Sequence, residues 1–130
     1  MRGAWKGDTP TAAVGSRKNG WGVAPAISAR LNAPKGIAAR PDGGFLIADT
    51  FNGLVRRVSQ HGDIESLAGG WDGQPLADGM HPEKMFMGFA EKVAIAPDGR
   101  IFVSDSWDSR ILIIGDAGGL PPIRWTVERV

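Results

Sequence analysis

Apolar residues along this chain gather in short runs, each closed by a polar, glycine-bearing turn, and the pattern is written twice. Pro41-Asp42-Gly43-Gly44-Phe45-Leu46-Ile47-Ala48-Asp49-Thr50 returns 56 residues later, without a gap, as Pro97-Asp98-Gly99-Arg100-Ile101-Phe102-Val103-Ser104-Asp105-Ser106. Beyond this core the residue class is kept: Ile37 corresponds to Val93, Phe51 to Trp107, Asn52 to Asp108, Val55 to Ile111 and Val58 to Ile114. Proline presets φ, aspartate caps through its carboxylate and glycine accepts positive φ, so Pro-Asp-Gly predicts a tight turn. Each copy then predicts a hairpin, with strands Gly36 to Arg40 and Phe45 to Asp49, or Val93 to Ala96 and Ile101 to Asp105. A second polar turn, Thr50-Phe51-Asn52-Gly53 or Ser106-Trp107-Asp108-Ser109, leads to a third strand, Leu54 to Val58 or Arg110 to Ile114. In the first copy His61-Gly62-Asp63 turns the chain again into Ile64 to Ala68.

A fixed period carrying four short antiparallel strands predicts an all-β chain of stacked units, a partial β-propeller of about two four-stranded blades. The blades are expected at residues 31–70 and 88–116, within a single 1–130 segment. Polar and apolar residues alternate poorly in these strands, most visibly in Ile111-Leu112-Ile113-Ile114. A sheet with one wet face should alternate, whereas a blade packed on both sides need not. The alternative, a small β-sandwich of two similar hairpins, leaves much of this apolar surface exposed.

The residues also carry a family resemblance. Leu31-Asn32-Ala33-Pro34-Lys35-Gly36-Ile37-Ala38, Pro41-Asp42-Gly43, Ile47-Ala48-Asp49-Thr50-Phe51-Asn52-Gly53, Arg56-Arg57-Val58 and Leu67-Ala68-Gly69-Gly70 together resemble an NHL repeat. The lead-in from Gly20 to Arg30 is similar to the loop that joins such repeats, and the likeness runs from about Thr11 to about Asp116. It implies a propeller whose relatives include protein-binding, RNA-binding and enzymatic members, so it speaks for fold more than for activity. The sequence departs from the pattern in places. The arginine that usually follows the second turn is Leu54 in copy one and Arg110 in copy two, and Lys92 stands where copy one has Gly36. After Asp116 the match fails, and Pro121-Pro122 argues against a central strand there, leaving 117–130 as a tail or a displaced fourth strand.

Little more than two blades are encoded in 130 residues, whereas a propeller needs at least about four. A fragment of a longer protein, a ring closed by several copies, or a degenerate remnant each satisfies this count. Residues 11–16 align with the close of a fourth strand and have no preceding blade. This orphan strand could complete the short sheet of a neighbouring molecule.

Composition excludes several partners. The formal net charge is +1, which leaves no global electrostatic footprint for nucleic acid. No apolar run approaches the about 20 residues of a membrane-spanning helix. The first residues lack the apolar stretch of a secretory signal, and there is no cysteine, so a cytoplasmic location is favoured.

Asp49 and Asp105 end equivalent strands, with Asn52 and Asp108 three residues on. The resemblance makes them candidates for a divalent-metal site of a lactonase-like or lyase-like enzyme, yet recurrence at the repeat period favours hydrogen bonding to turn amides. His61 and His81 have no ligand at metal-site spacing, and no serine-nucleophile or phosphate-loop pattern occurs. The expected role is therefore a scaffold that binds a protein or peptide, or its own copies, without a cofactor. Trp21, Trp71 and Trp107 are the expected anchors, with Arg56 and Arg110, and Asp49 and Asp105, as polar contacts. RNA binding is the remaining alternative; Arg17, Lys18 and Trp21 are its best candidates, since Arg56 and Arg57 must point to opposite faces of a strand.

Overall fold

A computed structural model describes residues 24–70, 73–77, 79–115 and 127–129, and in it the chain forms two antiparallel sheets. The strands are β1 (Ala24–Pro25), β2 (Gly36–Ala39), β3 (Phe45–Asp49), β4 (Leu54–Val58), β5 (Asp63–Gly69), β6 (Ala90–Ile95), β7 (Ile101–Asp105), β8 (Arg110–Ile114) and β9 (Val127–Arg129). One sheet has the order β1-β5-β4-β3-β2 and the other β6-β7-β8-β9, and neither closes into a barrel. The only helical turns among the described residues are short 3-10 segments at Ala26–Ser28, Thr50–Asn52 and Pro82–Lys84. No helix among those residues is long and apolar enough to cross a membrane.

The two Pro-Asp-Gly turns are built alike. Arg40 N–H donates to Gly44 O at 2.8 Å and Ala96 N–H to Arg100 O at 2.8 Å. Asp42 Oδ1 accepts from Gly44 N–H at 2.9 Å, and Asp98 Oδ1 accepts from Arg100 N–H at 3.1 Å. The Gly44 N–H is also the main reason the Asp42 carboxyl is held below its ordinary range. At the second turn Gly53 takes φ 63° and its counterpart Ser109 φ 53°, so the left-handed bend survives where a side chain makes it more costly.

Some strand limits differ from those the turns predict. β6 starts at Ala90 rather than Val93, because a bulge between Ala90 and Lys92 lets Lys92 N–H donate to Ser104 Oγ at 3.1 Å. β2 ends at Ala39, and β5 runs from Asp63 to Gly69 with a bulge opposite Val55 and Arg56. β9 pairs Val127 with Ile114 and Glu128 with Ile113. The proposed orphan strand at 11–16 and most of the 117–130 segment lie outside the described residues.

The sheets stack face to face. Leu46, Ala48, Val55 and Ala68 of the first sheet share a core with Ala90, Ile101, Val103, Leu112 and Ile114 of the second, sealed by Met85 and Met87 from the connection between them. The opposite face of the first sheet holds a smaller cluster in which Ile47, Val58 and Ile64 pack on Ala26, Ala29 and Leu31. Burial on both faces therefore describes β3 and β4, whereas β6 and β8 keep partly exposed residues on the face turned away from the first sheet.

β2 approaches β6 closely because Gly36 has no side chain. A Cβ there would lie 2.5 Å from Glu91 O and 2.9 Å from Lys92 Cα, both backbone atoms that cannot swing aside. Nearby, Thr50 Oγ1 donates across the junction to Ala90 O at 2.6 Å. Gly36→Ala should accordingly force the sheets apart and lower stability by about 1–3 kcal/mol, read as a reduced urea midpoint.

Candidate functional site

In each repeat the chemistry-bearing residues gather at one strand end, that of β3 in the first sheet and of β7 in the second. Asp49 Oδ1 accepts from Asn32 N–H at 2.8 Å, while Oδ2 accepts from Asn52 Nδ2 at 2.9 Å and Arg56 Nη1 at 3.2 Å. Arg56 Nη1 also donates to Arg30 O at 3.1 Å. In the second sheet Asp105 Oδ1 accepts from Phe89 N–H at 3.1 Å, and Oδ2 from Gly88 N–H at 3.4 Å and Arg110 Nε at 3.1 Å. Arg110 Nη2 donates to Phe86 O at 3.1 Å and lies 3.4 Å from Asp108 Oδ2. Asn32 and Gly88 correspond under the repeat, as do Arg30 and Phe86. Each aspartate thus clips the segment leading into its sheet, and each arginine fastens a carbonyl two residues before that point.

The arginine does not come from the same position in the two clips. Arg110 corresponds to Leu54, and Arg56 corresponds to Leu112. The two positions are two apart on one strand, hence on the same face, so either can reach the aspartate. What looks in sequence like a missing arginine at Leu54 is an arginine moved along the strand.

Arg56 and Asp49 both have fully buried side chains. Burial pushes the Asp49 carboxyl up, opposed by the Asn32 N–H, the Asn52 amide and Arg56. Burial likewise pushes the Arg56 guanidinium down, opposed by Asp49. Such a pair adds little net stability over a well-packed apolar pair, but losing one member strands the other charge. Arg56, expected as a polar contact, has its side chain fully buried beneath its own sheet. Arg57, on the other face, pairs with Glu65.

Asp49 and Asp105, weighed as candidate metal ligands but expected to bond turn amides, are held by these donors. Asn52 is buried against Asp49, and among the described residues no group of three or more His, Cys, Asp or Glu is gathered around one point. His61 sits in the exposed β4–β5 turn, and His81 precedes the 3-10 turn at Pro82–Lys84.

The aromatic candidates divide. Trp21 and Trp71 lie outside the described residues. Trp107 is 62% exposed and Phe51 45% exposed, and Phe89 stands between them. Ring centroids are 5.4 Å apart for Phe51 and Phe89 and 5.1 Å for Phe89 and Trp107, the second pair nearly edge to face. Trp107 lies directly over Gly88, where any side chain would strike its Cβ and Cγ. Lys35 Nζ is 5.6 Å from the Phe51 ring centre and 3.3 Å from Glu91 Oε1. Phe89 was not marked by the repeat, since its counterpart is Ala33; its only signal is an aromatic just before a strand. Arg110 and Asp108 line a neighbouring cleft of ≈ 390 Å³ with Pro75, Leu76 and Phe86.

A scan against known protein families gives no match, and a search of the curated proteins gives none either.

The clip predicts its own genetics. Asp49→Ala should cost about 3–5 kcal/mol by leaving Arg56 buried without its carboxylate. Arg56→Leu should also destabilise, and adding Leu54→Arg should recover most of the loss by rebuilding the arrangement around Asp105. Urea melts of the single and double variants measure this; a double variant no better than Arg56→Leu would show the two positions are not interchangeable.

Proposed function

We propose that the chain is a pair of NHL-type repeats, a partial β-propeller whose role is to bind a protein or peptide and to assemble rather than to catalyse. The observation that carries this reading is the clip itself, the same carboxylate tying the same loop in both sheets. A residue required once per repeat is a scaffold part, and two antiparallel sheets sharing one core are what this reading expects of neighbouring blades. A metal-dependent lactonase-like or lyase-like site has less support, because Asp49 and Asp105 face N–H donors on both oxygens. RNA binding is also weakly supported, since Arg56 is enclosed and Arg57 and Arg110 are paired with carboxylates.

The contact surface on this reading is the rim formed by Phe51, Phe89 and Trp107. A tryptophan seated on a glycine and braced by a phenylalanine is preorganised, so little side-chain freedom is lost when a partner covers it. Panning the purified chain against a random peptide library tests this. Trp107→Ala should weaken selected peptides by about 2 kcal/mol, roughly thirtyfold, with the circular dichroism unchanged. Failure to enrich any peptide, or peptides indifferent to both Trp107→Ala and Phe51→Ala, would count against the rim.

A further inference from the structure

Stacking the two repeats covers the face of the first sheet that holds Leu46, Ala48 and Val55, but among the described residues it leaves the equivalent face of the second sheet partly exposed. The face of β6-β7-β8 turned away from the first sheet carries Lys92, Ala94, Phe102, Ser104, Ile111 and Ile113, paired across the strands in that register. Its counterparts in the first sheet include Leu46, Ala48 and Val55, which are the residues that pack on the second sheet. Ile111 is 42% exposed where Val55 is buried. On the far side of the molecule, Ile37 of β2 is 68% exposed, whereas its counterpart Val93 packs in the core between the sheets.

At the end of this face, by the turn joining β7 and β8, the surface is concave. A concavity of ≈ 330 Å³ is lined by Ser104, Asp105, Ser106, Ser109, Arg110 and Ile111. In the first sheet the corresponding core is filled by the chain itself, with Met87 and Ala90 buried beside Ala48 and Val55. Thr50 hydrogen bonds to Ala90 O there, and Ser106 supplies a hydroxyl at the Thr50 position. The residues that correspond to Met87 and Ala90 are Leu31 and Pro34. The charges agree as well: Lys35 and Glu91, which pair at 3.3 Å across the internal junction, occupy corresponding positions. A second molecule stacked in the same register would bring its Lys35 toward Glu91, each already paired within its own molecule.

We propose that this face receives the first sheet of a second copy of the chain, in the register that joins the two sheets within one molecule. The proposal rests on the stacked-repeat reading above. The contact is heterologous, so it closes into a ring or extends as a filament according to the rotation per molecule. One residue opposes it. Lys92 stands where Gly36 permits backbone approach across the internal junction. The intermolecular junction is accordingly looser than the internal one, and association is reversible.

Light scattering after size exclusion over a range of concentrations tests the proposal on the 130-residue chain. Reversible association is expected, lost in Ile111→Glu and in Ala94→Arg, and shifted to lower concentration in Lys92→Gly. Ile111 and Ala94 are exposed, so these variants should fold, which circular dichroism checks. A wild-type chain that is monomeric at every concentration overturns the proposal, as does association or aggregation indifferent to both face variants. If the chain is monomeric but Gly36→Ala still destabilises it, the second-copy contact alone fails. If Gly36→Ala has no effect either, the stacked-repeat reading fails with it.

Discussion

A sheet of four or five short strands with apolar residues on both faces cannot stand alone, because one face at least would meet water. This constraint explains why the two repeats are found pressed together and why the connection between them supplies Met85 and Met87 to the same core. It also explains Gly36. Burial depends on distance, and the backbone of β2 must come within van der Waals reach of β6 before the interior can close around Ala48 and Ala90. The strand-end hydroxyl of Thr50 then bridges a gap already narrowed by the missing side chain.

Once the sheets are stacked, the ends of β3 and β7 lie where the chain enters each sheet, and two buried carboxylates hold that crossing. They act on backbone amides 16 or 17 residues earlier, so each clip closes a loop larger than a hairpin. The price of placing such charges in a dry interior is offset by multiple donors at each carboxylate. The aromatic rim grows from the same place. Phe89 N–H donates to Asp105 while its ring separates Phe51 from Trp107, so the polar clip fixes the apolar surface.

Much of the β architecture was legible because its signals are local. Pro-Asp-Gly with an aspartate that caps its own turn fixes where β3 and β7 begin, and the following polar turns fix where β4 and β8 begin. The start of β6 was not legible, since its bulge depends on a hydroxyl at Ser104 in the neighbouring strand. Nor was the fate of the Arg56-Arg57 pair. Alternation says only that they diverge; which one is enclosed depends on Asp49 and on the Arg30 carbonyl, 26 residues upstream. The prominence of Trp107 likewise follows from Gly88 beneath it, a contact that no spacing rule connects to the second polar turn.

The relocated arginine has a consequence for how these repeats diverged. Passing from one arrangement to the other requires two substitutions, and the intermediates carry either two guanidiniums around one carboxylate or none. The first crowds like charge into a dry site, and the second leaves an aspartate there with amide donors but no counter-charge, so neither intermediate is neutral. Repeats that have crossed this gap cannot exchange single residues freely. A crossover between copies that falls between these two positions would join both arginines in one strand or leave it with neither, which gives each repeat a chemical identity of its own beneath their shared outline.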